Sequence, residues 1–421
     1  MTRPTNLVVV GLGYVGMPLV LEAASKGMQV TGLDVDARVV LQVNEGRSHI
    51  DDIQDAQVLE LLAVGFSATT DADVLRQADV IVICVPTPLD AEHRPDLRAV
   101  EAAGEQISQR LQPGQLVVLE STSYPGTTEE VLIPILETSG LRSGVDFNVA
   151  FSPERIDPGN PHFKLRNTPK VVGGLTLACL DAAKTFYGQL VDTVVPARGL
   201  REAELSKLLE NTYRHVNIAL VNEMARFCFE LGIDLWDAID CAASKPFGFQ
   251  AFYPGPGVGG HCIPIDPNYL SFRVRSVLGQ PFRFVELAQE VNWQMPDYVV
   301  LRSQLLLNDA QKSVKGSRIL VIGVTYKANI SDLRESPSSR IVNLLWTLGA
   351  HVEYFDPLAP GFSVNDRLLG SPKTLAEGVA WADLVIVLQH HDGVDLSVLH
   401  DAEVTTLDTR GVLRGQSIQR L

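Results

Sequence analysis

An α/β chain of two doubly wound domains joined by a long central helix is predicted by three observations. The apolar run Leu7 to Val10 leads into Gly11-Leu-Gly13-Tyr14-Val15-Gly16 and then into a helical pattern. The order strand, helix, strand, acid recurs after Ser317. Between the two, the apolar positions of Leu200 to Leu231 hold helical spacing over the longest such stretch in the chain. Apolar strands alternating with helices describe a parallel sheet covered on both faces, and the recurrence points to two Rossmann-like units.

The elements follow in order. After the glycines, a helix runs through Leu19, Leu21, Ala23 and Ala24 and stops at Gly27, and a second strand, Gln29 to Leu33, ends at Asp34. In this context the glycines serve a tight turn and the close approach of a pyrophosphate, whose charge the helix N-terminus attracts. Asp34 is expected to accept hydrogen bonds from an adenosine ribose and to repel a 2′-phosphate, which favours NAD over NADP. The plainer alternative is a ligand-free strand-to-helix turn. Three further apolar strands each end in a polar cluster: Val80 to Val85 at Pro86-Thr87-Pro88, Leu116 to Leu119 at Glu120-Ser121-Thr122, and Val149 to Phe151 at Ser152-Pro153-Glu154-Arg155. That rim is where open α/β sheets bind ligands, so Thr87, Thr122 and Glu154 are site candidates, although each alone reads equally as a loop residue or N-cap.

The long helix carries Leu205, Leu208, Leu209, Val216, Leu220 and Met224 at apolar spacing, and it suits both a spacer between domains and a dimer surface. Lys207 and Asn211 stand one turn apart on it and could together hold an oxyanion, or could face solvent. Cys262 follows in Gly255-Pro-Gly257-Val-Gly259-Gly-His-Cys262-Ile-Pro-Ile-Asp266-Pro267. Glycines on the approach and prolines beyond predict a rigid, open loop presenting a nucleophilic thiol with Asp266 close behind. In the last third, Ser317 to Gly323 is a strand, Ser338 to Leu348 a helix, His351 to Phe355 a strand ending at Asp356, and Leu384 to Leu388 another strand. Its glycine fingerprint is missing, since Val-Thr-Tyr-Lys327 follows Gly323, so a second dinucleotide is not expected there. Lys327, Arg334 and Arg410 supply positive charge suited to a phosphate-bearing substrate, or to surface ion pairs.

Composition narrows the class. With 421 residues, 46% hydrophobic and 20% charged, the chain is ordinary globular protein of two or three domains. A net charge of −15 argues against a nucleic-acid partner. Five scattered cysteines, Cys84, Cys179, Cys228, Cys241 and Cys262, suggest neither a zinc site nor a disulfide framework, and hence a reducing cytoplasm. A first strand so near Met1 leaves no room for a signal peptide, and no apolar run is long enough for a membrane span.

Taken together, Gly11-Leu-Gly-Tyr-Val-Gly16, Ser152-Pro-Glu-Arg155, Glu204-Leu-Ser-Lys207 with Asn211, Gly259-Gly-His-Cys262-Ile-Pro-Ile-Asp266, and Tyr326-Lys327 through Arg334-Glu-Ser resemble the UDP-glucose/GDP-mannose dehydrogenase family over essentially the whole length. The resemblance implies an NAD-binding Rossmann domain over 1–197, a central helical and dimerisation domain over 198–305 carrying the catalytic Lys and Cys, and a UDP-sugar-binding Rossmann-like domain over 306–421. It implies oxidation of C6 of a UDP-sugar from alcohol to carboxylate by two hydride transfers to NAD+. Cys262 attacks the C6 aldehyde to give a thiohemiacetal, whose oxidation yields a thioester that water hydrolyses. Lys207 and Asn211 match residues that stabilise the C6 oxyanion. Asp266 matches a carboxylate that orients the water, Glu154 an acid/base and Thr122 a polar group at cofactor and water. The implied cofactor contacts are Gly11, Gly13, Tyr14, Val15, Gly16, Asp34, Arg38, Pro86, Thr87, Ser121, Thr122 and Arg334. The implied substrate contacts are Glu154, Arg155, Lys207, Asn211, Tyr253, Gly259, Lys327 and Arg410. A homodimer is implied, with no membrane or nucleic acid as partner and no metal.

His-Cys262-Ile-Pro-Ile-Asp-Pro resembles the branch acting on UDP-N-acetylhexosamines, and Ser152-Pro-Glu-Arg-Ile-Asp-Pro-Gly-Asn160 looks most like the N-acetylglucosamine enzymes, ahead of N-acetylmannosamine and then glucose. Where the glucose enzymes place a further glutamate, this chain has Asp157-Pro158. A hydroxy-acid dehydrogenase needs no thiol, and a nucleotide-sugar-binding protein without activity needs neither Lys207 nor Cys262. Cys262→Ser is therefore expected to stop release of the acid, measured as uronic acid formed. Acid produced at the wild-type rate would overturn the covalent route.

Overall fold

The computed structural model describes residues 4–50, 53–90, 92, 94–157, 160, 162–260 and 262–421, with the side chains of Cys262 and Pro264 outside that description. The chain divides into two compact units, Met1–Glu210 with Asn268–Gln280, and Asn211–Pro267 with Pro281–Leu421.

The first unit is built on strands β1 (Asn6–Val10), β2 (Gln29–Leu33), β3 (Ser67–Thr69), β4 (Val80–Ile83), β5 (Leu116–Leu119), β6 (Asn148–Phe151), β7 (Lys170–Gly174) and β8 (Val194–Pro196). Their order in the sheet is β3-β2-β1-β4-β5-β6-β7-β8. The pairs from β3 through to β6 are parallel, and β7 turns antiparallel against β6. The chain reverses direction along the sheet at β1 and β4, the switch point at which ligands bind in such folds. β4 and β5 are buried at every residue, as strands covered on both faces must be. The antiparallel β7, which sequence alone did not suggest, starts with the buried Lys170.

In the second unit, β9 (Arg318–Ile322), β10 (His351–Phe355), the hairpin β11 (Ser363–Val364) and β12 (Arg367–Leu368), β13 (Leu384–Val387), β14 (Thr406–Asp408) and β15 (Ile418–Arg420) follow one another. Five of them form a parallel sheet in the order β10-β9-β13-β14-β15. Apolar clusters cover both faces, one with Val321 and Ile386, the other with Leu320 and Val385. The recurrence read from the sequence extends to single hydrogen bonds. Asp79 Oδ2 accepts from Asn6 N at 2.8 Å at the start of β1, and Asp383 Oδ2 accepts from Arg318 N at 2.8 Å at the start of β9.

The long helix spans Leu200–Glu230. Leu208 is fully buried, but Leu209 and Leu220 are 61% and 54% exposed, so helical spacing alone did not separate the covered stripe from the open one. A second difference concerns the glycine- and proline-rich stretch. It does not remain a loop: Cys262 is the first residue of a helix, Cys262–Leu278, with Pro267 inside it. Proline lacks only an N–H that has no partner in a helix's first turn, so Pro264 near the start is compatible with helix. His261 lies outside the described residues. No helix among the described residues is long and apolar enough to cross a membrane.

The glycines after β1 have separate reasons. Gly11 adopts φ +95°, and a Cβ there would lie 2.7 Å from Cys84 O. A Cβ on Gly16 would lie 1.9 Å from Gly11 O, whereas nothing stands within 4 Å of one on Gly13. Gly16→Ala is therefore expected to destabilise the chain by about 2–3 kcal/mol, the range of overpacking, and Gly13→Ala by less than about 0.5 kcal/mol. Urea unfolding of the two variants checks this; equal midpoints would contradict the packing argument.

Candidate active site

Around the turn that follows β1, the first unit forms a cradle. Asp34, at the end of β2, accepts from Leu12 N through Oδ2 and from Asp36 N through Oδ1, each at 2.9 Å. His49 Nε2 lies 2.7 Å from Leu12 O, so the Leu12 peptide is held at both ends. The following helix, Gly16–Ser25, has no side-chain cap at Val15 and no acid in its first turn, which leaves its N-terminal end suited to an anion. With space over Gly13 and a carboxylate at Asp34, these residues fit a dinucleotide. Tyr14 and Val15 lie in the turn itself. Arg38 sits at the start of the next helix, where it pairs with Asp36 at 2.7 Å and holds that carboxyl down at about 2.

The rim residues gather at the ends of β4, β5 and β6. Pro86 and Thr87 follow β4, and Thr87 O accepts from the buried Tyr269 hydroxyl at 2.7 Å. Ser121 Oγ donates to Val85 O at 2.8 Å. Lys207 reaches Thr122 from the long helix, Nζ donating to Oγ1 at 2.6 Å, and only 8% of Lys207 is exposed. The alternative of a solvated lysine does not hold.

Beneath Glu154 lies a buried charge cluster that sequence reasoning did not find. Lys170 Nζ stands 3.1 Å from Glu120 Oε2 and 3.9 Å from Glu154 Oε2, and the Tyr187 hydroxyl donates to Glu120 Oε1. Burial disfavours the Lys170 ammonium, but the two carboxylates outweigh it and raise its pKa. Burial and the nearby Glu154 raise Glu120, with Lys170 opposing them. Glu154 Oε1 accepts from Ile156 N, and its Oε2 has no hydrogen-bond partner among the described residues. Arg155 points elsewhere, pairing with Glu210 at 2.7 Å and donating to Pro169 O at 2.7 Å. Pro158 and Gly159 of the same motif lie outside the described residues.

In the second unit, Asn211 Nδ2 donates to Asp266 Oδ2 at 2.6 Å, and the two residues are 8% and 3% exposed. Asp266 stands one turn after Cys262 on the same helix. The glycines before it are packed on Tyr326: a Cβ on Gly259 would lie 2.6 Å from Tyr326 Cβ, and one on Gly260 2.5 Å from its ring. Gly260 N donates to Arg334 O at 3.0 Å, while the Arg334 side chain pairs with Asp332 at 2.6 Å. Lys327 O accepts from Thr325 Oγ1 at 3.0 Å. Arg410 donates through Nε to Leu388 O at 2.7 Å, and its guanidinium lies beside Gly255. Burial lowers the Arg410 pKa, partly offset by Asp408, yet the group stays cationic at neutral pH. Tyr253 stacks on Trp236 with ring centres 5.1 Å apart and donates to Asp240 at 2.7 Å.

The acid of the second Rossmann-like sheet is already used by its own chain. Asp356 Oδ2 accepts from Val324 N at 2.7 Å, and His391 Nε2 lies 3.1 Å from Asp356 Oδ1. Asn329 N donates to His391 Nδ1 at 2.9 Å, which leaves Nε2 to carry the proton toward Asp356. Burial pushes the Asp356 carboxyl up, but His391 and backbone N–H groups hold it below its ordinary value. In the position where Asp34 faces a cradle, Asp356 is sealed.

Comparison with known proteins agrees with this arrangement. Residues 5–191 match the NAD binding domain of the UDP-glucose/GDP-mannose dehydrogenase family, residues 201–294 its central domain and residues 320–415 its UDP binding domain. The chain is 35% identical to a UDP-N-acetyl-D-mannosamine dehydrogenase of Methanococcus maripaludis, over 92% of this chain and 86% of that one. It is 36% identical to a UDP-N-acetyl-D-glucosamine 6-dehydrogenase of Pseudomonas aeruginosa, over 84% and 83%. The solved structure of a UDP-D-ManNAc dehydrogenase from Pyrococcus horikoshii superposes with a TM-score of 0.88 at 31% identity, covering 99% of this chain and 98% of that one. The family's three domains follow one another here in order, and the chain belongs to the UDP-glucose/GDP-mannose dehydrogenase family as an NAD-dependent nucleotide-sugar 6-dehydrogenase.

Proposed function

We propose that this chain converts a UDP-N-acetylhexosamine, with UDP-N-acetylglucosamine favoured, into its uronic acid by four-electron oxidation at C6. The observation that carries the chemistry is the buried Asn211–Asp266 hydrogen bond of 2.6 Å, one helical turn after Cys262. A buried amide–carboxylate pair next to a thiol position has no need in a simple alcohol dehydrogenase. It suits a covalent adduct that must be formed, held and hydrolysed.

NAD supplies the hydride acceptor when bound. Gly11, Gly13, Tyr14, Val15, Gly16, Asp34 and Arg38 hold it on one side, and Pro86, Thr87, Ser121, Thr122 and Arg334 complete its contacts. Cys262 adds to the C6 aldehyde to give a thiohemiacetal; loss of a hydride to the acceptor and of the hydroxyl proton leaves a thioester, which water cleaves to the acid and the free thiol. Lys207 and Asn211 stabilise negative charge at the C6 oxygen. Asp266 orients the hydrolytic water, and Glu154 moves protons around thioester formation and cleavage. Tyr253, Gly259, Lys327 and Arg410 bind the nucleotide sugar, while Arg155, tied to Glu210 and Pro169 O, holds its own loop in place. The domain roles follow the boundaries 1–197, 198–305 and 306–421.

The N-acetylglucosamine assignment draws on Ser152 to Asn160 and on the similarity to the Pseudomonas enzyme. N-acetylmannosamine is the second reading, because relatives bearing that name match over more of the chain. The reading includes a homodimer. Its support is the stripe Leu209, Tyr213, Leu220 and Phe227, 61%, 47%, 54% and 47% exposed, spaced along one face of the long helix. It also includes a cytoplasmic setting, supported by the free thiols of Cys84, Cys179, Cys228 and Cys241.

Limiting amounts of UDP-N-acetylglucosamine, UDP-N-acetylmannosamine and UDP-glucose, each with excess NAD+, test the reading by absorbance of NADH. About two NADH per sugar from an N-acetylated substrate is the expected result for four-electron oxidation. About one NADH would overturn the covalent route, and turnover of UDP-glucose alone would overturn the substrate class.

A further inference from the structure

Glu204 lies three residues before Lys207 on the long helix and is 1% exposed. Its carboxylate takes three donors from a segment more than seventy residues upstream. Oε2 accepts from Gly126 N at 2.5 Å, and Oε1 accepts from Thr128 N at 2.9 Å and from Thr128 Oγ1 at 2.7 Å. The same segment carries Thr122, whose hydroxyl meets Lys207 Nζ at 2.6 Å. One helix face thus grips one strand-end segment at two points. We propose that Glu204 is a positioning residue, holding the 121–128 segment against the long helix so that Thr122 stays within reach of Lys207.

This inference rests on the proposed roles of Lys207 and Thr122. The grip uses charge-assisted hydrogen bonds, which are roughly twice as strong as neutral ones. Burial raises the Glu204 pKa to about 7, the backbone and hydroxyl donors opposing it. Glu129 faces it and adds to the rise. Arg201 pairs with Glu129 at 2.6 Å and Glu130 at 3.3 Å, Arg273 pairs with Glu130, and Tyr124 stands within electrostatic reach. Protonation removes the charge from all three hydrogen bonds at once. A carboxyl raised from 4.5 to about 7 binds its proton more tightly while the segment is closed over it than in water, so global stability and closure of the segment both weaken as pH rises from about 4.5 to about 7 and level off above it.

The test compares the wild-type chain with Glu204→Gln between pH 6 and 9, following kcat, KM for NAD+ and amide exchange of 121–131 corrected for intrinsic pH dependence. In the wild type, protection of the segment should fall as pH rises toward about 7 and level off above it. In Glu204→Gln, kcat at pH 8 should fall about tenfold, the worth of a charge-assisted hydrogen bond, and KM for NAD+ should rise as well, because Ser121 and Thr122 lie in the segment that Glu204 holds. The step near neutrality should vanish from the exchange profile. A wild-type profile with undiminished protection overturns the proposal. Thr128→Val removes one donor to the carboxylate and should move the step to higher pH; an unmoved step also overturns it, even if Glu204→Gln does not fold. If the wild-type chain reduces no NAD+ with any sugar, the functional reading fails, and the exchange data still decide the grip.

Discussion

A parallel sheet covered on both faces leaves polar chemistry almost nowhere to go except its ends. β4 and β5 are buried at every position, and their side chains are apolar. The polar side chains that the first sheet presents gather at its strand termini, among them Asp34, Thr87, Ser121, Thr122 and Glu154. The switch between β1 and β4 opens the rim at the glycine turn. The long helix supplies a lysine to that rim, and the antiparallel β7 brings a second cation, Lys170, beneath it.

The second unit reuses the architecture and withdraws the site. Gly323 repeats Gly11, with φ +72° and a Cβ that would fall 2.2 Å from Gln389 O. Asp383 repeats Asp79. Asp356 stands where Asp34 stands, and both accept from backbone N–H groups, but Asp356 takes three of them and is covered by His391 as well. Without a Gly-x-Gly turn and with its acid engaged, the sheet has lost both features that admit a dinucleotide.

Much of this was legible in the sequence because its physical causes are local. Apolar runs, the glycine turn and the terminal acids mark parallel strands and their rim within a few residues of each other. Lys207 and Asn211 were legible as neighbours on a helix, but their burial was not, since Thr122 and Asp266 lie 85 and 55 residues away. Lys170 gave no local sign and Glu204 entered only as the first residue of a motif, because their roles come from Glu120, Glu154, Gly126 and Thr128. The glycine and proline run before Asp266 misled in one respect. Its composition describes the approach to Cys262, whereas from Cys262 onward the chain is helical with Pro267 inside the helix.

The buried trio of Glu120, Lys170 and Glu154 has a consequence for how such a sequence drifts. A lone ammonium or a lone carboxylate at those depths would be stranded in a low-dielectric interior, a change that single substitutions of buried pairs make strongly unfavourable. None of the three positions can change by itself without passing through that state. Replacement by apolar residues would have to occur at Lys170 and Glu120 together, and it would leave Glu154 with a different field. Substitutions at these positions are therefore expected to come together rather than singly, which ties segments that are otherwise distant in the chain.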